Sequence, residues 1–185
     1  MLKLFLLFLT FSVFSFAYAE GDMAVEETHV HIEDGVIYCD VQTFNQEAYV
    51  LKVIGSGSPM TVFWQFEILQ VRDLWLDKAV VSIRLGRQVI PDLVTQRWLM
   101  RDLSVGVVKY TNDAEEAMHF LTRMQHAAVA DISILEKDAD FLLETKLFTH
   151  EGEDEEQGWW ASVTDWGEDM GSVSLQLPQA NNDAE

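Results

Sequence analysis

Apolar and polar residues alternate with a period of two along most of this chain. In TVFWQFEILQV, Val62, Trp64, Phe66 and Ile68 share one side of an extended segment, with Phe63, Gln65, Glu67 and Leu69 on the other. In AVVSIRLG, Ala79, Val81, Ile83 and Leu85 are expected inward, Ser82 and Arg84 outward. LVTQRWLMR and LSVGVVKY continue the pattern less cleanly. ADFLLETKLFTH places Phe141, Leu143 and Leu147 on one face, and GSVSLQLP sets Val173, Leu175 and Leu177 against Ser172, Ser174 and Gln176. Successive side chains on a strand point to opposite faces, so the alternation predicts antiparallel strands with one buried face. In HVHIEDGVIYCDV, Asp34-Gly35 lies between two such runs and predicts a two-residue hairpin turn.

Two stretches depart from this period. In FNQEAYVLKVIGSGSP, Asn45 can cap a short helix running through Ile54, with Gly55 as its stop and Gly55 to Pro59 as a loop. In TNDAEEAMHFLTRMQHAA, Asn112 and Glu115 make a capping box, and Ala114, Ala117, Met118, Leu121 and Met124 recur at helical spacing. The fold class expected is therefore mostly β: an antiparallel β-sandwich or strongly curled sheet with one or two packed helices.

The first residues read differently. Lys3 precedes an apolar run from Leu4 to Phe16, then the small residues Ala17 to Ala19. This is the pattern of a secretory signal peptide over residues 1–19, cleaved after Ala19. Leu4 to Phe16 is shorter than the roughly 20 apolar residues a membrane span needs. A lead-in over 20–28, one β-rich domain over 29–178 and a polar tail over 179–185 complete the expected organisation. Localisation is expected in the periplasm or outside the cell, with no membrane span after cleavage.

Charge narrows the partners. The chain carries 12 basic and 31 acidic residues, a formal charge of −19. Loss of Lys3 with the signal would make it −20. Nucleic-acid binding needs a basic surface and is excluded as a generic activity. Anionic lipid is disfavoured, and cations or basic partners are favoured. Cys39 is the only cysteine, so no internal disulfide forms, and its apolar strand makes it a buried thiol rather than a nucleophile.

Few side chains suggest chemistry. His29 and His31 share a strand face at i and i+2 and are the best metal-ligand candidates, though a closed site needs four ligands. His119 and His126, seven apart on the expected helix, fall on similar faces beside its apolar stripe. His150 precedes an acidic run and could sense pH. GSGSP fits neither the nucleophile elbow nor a phosphate loop. The run Glu151 to Glu156, five of its six residues acidic, reads as a loop followed by Trp159 and Trp160. Glu151, Asp154, Trp159 and Trp160 are the binding candidates there. Trp159 and Trp160 point to opposite faces of a strand, so at most one enters the core. No catalytic motif and no cofactor site is found.

FWQFEILQVRDLWLDKAV, then LVTQRWLM, then a helix beginning near Asn112, resemble a bacterial envelope family catalogued as domain of unknown function 4390. The matching residues are Glu67-Ile68, Trp75 with Asp77, and Trp98, which stands where the family pattern has a tyrosine. The resemblance implies an exported, mostly β protein whose genes often lie near a membrane sensor kinase. It implies no activity and no catalytic residues. The function expected is a non-enzymatic envelope protein that binds or regulates another envelope protein, with such a kinase as the partner the resemblance implies. The alternatives are a carbohydrate-binding module using an exposed tryptophan and a hydrolase with paired carboxylates. Oligomeric state and partner identity are left open.

Overall fold

A computed structural model describes residues 24–44, 46–72, 76–136, 139–152 and 169–175. The expected signal peptide, the tail, and Asp154, Trp159 and Trp160 lie outside these residues. In chain order the elements are β1 (Ala24–Glu33), β2 (Val36–Phe44), α1 (Glu47–Gly55), β3 (Met60–Gln70), β4 (Lys78–Asp92) and β5 (Arg97–Asp102). There follow β6 (Val108–Thr111), α2 (Ala114–Thr122), β7 (Arg123–Asp131), β8 (Phe141–Glu151) and β9 (Asp169–Leu175). A three-stranded sheet has the order β1-β2-β7, and a six-stranded sheet the order β6-β5-β4-β3-β8-β9. Every pairing is antiparallel, and the two sheets pack together without closing a barrel, as the alternation predicts.

The core is built on β3. Val62, Trp64, Phe66 and Ile68 are fully buried, and β3 is paired on both sides, by β4 and β8. Against it lie Ile37, Cys39 and Val41 of β2, Met124, Ala127 and Val129 of β7, and Phe141, Leu143 and Leu147 of β8. Val50, Val53 and Ile54 of α1 and Ala117, Met118 and Leu121 of α2 complete it. Val81, Ile83 and Leu85 pair with Ile68, Phe66 and Trp64 and turn inward, but Ala79 is exposed. The register shifts between Ile68 and Leu69, and this displaces Ala79 from the expected inward side.

The turn at Asp34-Gly35 forms as expected, with φ of 49° and 79°. Both values are positive, as the tightest hairpin turn requires. Pairing in β1 starts at Ala24, inside the stretch expected as a lead-in. In α1 the N-cap is Gln46, and the helix runs through Gly55 to a C-cap at Ser56, one residue beyond the expected end. Asn45 lies outside the described residues.

The largest departure is at α2. Its N-cap is Asp113, one residue after the expected Asn112, and the Asp113 carboxylate accepts from the Glu115 backbone N–H at 2.9 Å. The helix stops at Thr122, and β7 begins at the next residue. The helical reading beyond Thr122 fails because β7 is bulged. Cys39 pairs with Ala127 and Val41 with Met124, so β7 holds one extra residue opposite Asp40. That insertion puts the buried Met124 and Ala127 three apart, the spacing a helix would give.

Candidate functional site

The described surface has a cleft of about 560 Å³ where α2 and the start of β7 meet β4, β5 and β6. Arg87 of β4 is part of its lining. Its Nη1 donates to the carbonyls of Phe120 (3.1 Å) and Arg123 (2.6 Å), which caps the end of α2 with a cation. Its guanidinium carbon lies 4.7 Å from the Phe120 ring centre, close enough for a cation–π contact. Burial lowers the Arg87 pKa from its ordinary value, and Asp102, 3.7 Å from Nε, acts in the opposite direction.

Asp102 also fixes the β5–β6 hairpin. Its Oδ1 accepts from the backbone N–H of Ser104 (2.9 Å) and Val105 (3.2 Å), and Ser104 Oγ accepts from Gly86 N–H. Glu116, also in the lining, accepts from both Lys109 and Thr111. These hydrogen bonds hold Glu116 below the usual carboxylate range. His119, Arg123 and Gln125 complete the polar lining, and Met100, Val105, Val107 and Phe120 the apolar part. Beside the cleft the hairpin exposes an unusual run: Val105 is 71% exposed, Val107 59% and Tyr110 62%, with Leu103 and Val108 exposed as well. β6 ends its sheet, and among the described residues no strand pairs with its outer edge.

Among the residues whose burial is described, no carboxylate is buried. Asp102 and Glu116, the acids lining the cleft, both face cations. The apolar setting that makes a carboxyl a general acid is therefore missing there.

The residues singled out in the sequence are dispersed. His29 and His31 lie on the outer face of β1, as expected, opposite Asp40 and Tyr38. The convergent group is different from that pair: His31 joins Glu33 and His126, while His29 lines a neighbouring hollow with Arg123 and Gln125. His119 and His126 do not share a face, because His119 lines the cleft from α2 and His126 sits exposed on β7. His150 is within β8, paired with Thr61, in the strand expected from its alternation. Glu151 is the last residue of β8 and accepts a hydrogen bond from the Tyr49 hydroxyl. Ile68 is buried and Asp77 exposed, Trp98 is half-buried on β5, and Trp75 lies outside the described residues.

Reading the sequence missed Arg87 and Asp102. Their signal was weak: an arginine after Gly86 in an apolar strand, and an aspartate followed by Ser104 and Gly106 in a turn-like order. A family model described as Domain of unknown function (DUF4390) matches residues 20–152. No curated protein and no solved structure matches the chain.

Proposed function

The chain belongs to the family described as Domain of unknown function (DUF4390), and on that premise we propose that it is an exported, non-enzymatic envelope protein. Its β5–β6 hairpin docks an extended apolar segment of another envelope protein, and a membrane sensor kinase is the partner the resemblance favours. One observation carries this reading. Leu103, Val105, Val107, Val108 and Tyr110 are exposed together beside a cleft and a strand edge that no described strand pairs with. Contiguous exposed apolar residues mark interaction sites, and a free edge supplies backbone donors and acceptors to an added strand.

Export is supported by the charge, apolar core and small-residue order of residues 1–19. No described helix is long and apolar enough to cross a membrane. The paired state of Asp102 and Glu116 speaks against hydrolysis in this cleft. The carbohydrate-binding alternative rests on Trp159 and Trp160, outside the described residues.

The test is cross-linking capture from envelope extract with the wild-type chain and with Val105→Asp/Val107→Asp. Both positions are solvent-facing, so the double variant keeps its fold. We expect a discrete partner with the wild type and at least a tenfold loss with the variant. Identical captured proteins for the two chains would refute the docking surface.

A further inference from the structure

We infer that the outer face of the small sheet binds a first-row divalent metal ion, with zinc as the type, through His31, Glu33 and His126. This site is separate from the proposed docking hairpin and does not depend on it. One ligand atom from each of the three side chains lies within 4.8 Å of the other two. The set is two imidazoles and one carboxylate, which suits zinc and its neighbours and leaves a coordination position for solvent or a further ligand.

The geometry around the three residues is built to aim them. His31 and Glu33 are two apart on β1 and share its outer face. His126 comes from β7, on the far side of β2, and reaches them only through its backbone. It sits at the extra residue of the β7 bulge with φ of 54°, an unusual conformation for a residue other than glycine. The Asp40 carboxylate accepts its N–H at 2.6 Å and holds that conformation in place. The same carboxylate lies 3.8 Å from His31 Nδ1. That is beyond hydrogen-bond distance, but a small turn of the His31 ring would let the carboxylate accept from Nδ1 and leave Nε2 for a metal, the arrangement common for ligand histidines. Tyr38, between them on β2, stacks on His126 with ring centres 3.9 Å apart and 12° between planes. It also stacks on His31 at 5.6 Å. The two imidazoles thus share the Tyr38 ring, and the Asp40 carboxylate fixes the backbone that presents His126.

A tetrahedral zinc with bonds of about 2.1 Å draws its ligand atoms to roughly 3.4 Å apart. The site closes by little more than an ångström, within reach of side-chain rotation at the exposed Glu33 and His126. The signal was half present in the sequence. His31 is legible as a candidate, but spacing pairs it with His29, because a bulge that brings in His126 leaves no spacing rule.

Zinc affinity of the full chain, measured by competition with a chromogenic chelator, tests the site. His126→Asn is the first variant, since asparagine tolerates a positive φ and leaves the bulge intact. His31→Gln is the second, and His29→Ala is the control outside the cluster. We expect one tight equivalent in the wild type, at least a tenfold weaker affinity in each of the first two variants, and no change in the control. Thermal melts of the metal-free proteins check that all four share one fold. The inference is overturned if the wild type binds zinc no more tightly than the His31 and His126 variants. It is equally overturned if His29→Ala loses as much affinity as they do.

Discussion

Cys39 shows how far a single residue can be read. Its place in GVIYCDV foretold a buried, inert thiol, and it is fully buried in β2. Burial, with Asp40 beside it as the lesser cause, pushes its pKa from 9.0 to about 12. Three pH units reduce the thiolate about a thousandfold, and the thiolate is the reactive form. Alkylation by iodoacetamide at pH 8 should therefore be negligible in the native protein and fast in urea; mass spectrometry of both samples checks it. Arg87 was not legible in the same way. A cation in an apolar strand reads as an outward residue, and only the packing of α2 shows that its donors end on helix carbonyls.

At the scale of elements, the strands were legible and the junctions between them were not. β3 follows its alternation residue by residue. α2 was placed correctly at its start, to within one residue, and wrongly at its end. Period counting assumes one residue per ladder position, and the β7 bulge breaks that assumption opposite Asp40. The same bulge carries His126, so the feature that hid the strand also hid the candidate metal group. The nine-residue α2 is held at both ends by side chains, Asp113 at the first turn and Arg87 at the last. Asp113→Ala should cost about 1 kcal/mol, the usual loss of an N-cap. Arg87→Ala should cost more, about 2–4 kcal/mol, because it leaves two carbonyls without their donor and strips the Phe120 ring of its cation. Urea unfolding of the two variants decides the order.

For the whole molecule, charge was the property most directly available, since −19 follows from counting. How the charges are arranged was not. On the outer face of the large sheet, Glu67 accepts from Lys146 at 3.1 Å, from Gln65 at 2.7 Å and from Ser82 at 3.2 Å. Burial acts to raise the Glu67 pKa, but these hydrogen bonds and the Lys146 charge outweigh it and lower the value. A carboxylate depressed in the fold stabilises it above the unfolded value, about 4.3 for glutamate, and that stability disappears as pH falls through the folded value. Lys146→Met removes one source of the depression. The variant should lose less stability than the wild type between pH 5 and pH 3, measured by urea melts at constant ionic strength. An equal loss would place the acid sensitivity elsewhere.

The pairing of β3 with β8 has one more consequence. Trp64 lies beside Leu147, and Met60 beside Glu151, so the central strand gains its second neighbour only when nearly all the described chain is available. Contacts so distant in sequence make folding slow, on the order of milliseconds to seconds. Under the proposed export such a delay would be an advantage: the topology would keep the chain threadable until β8 had arrived.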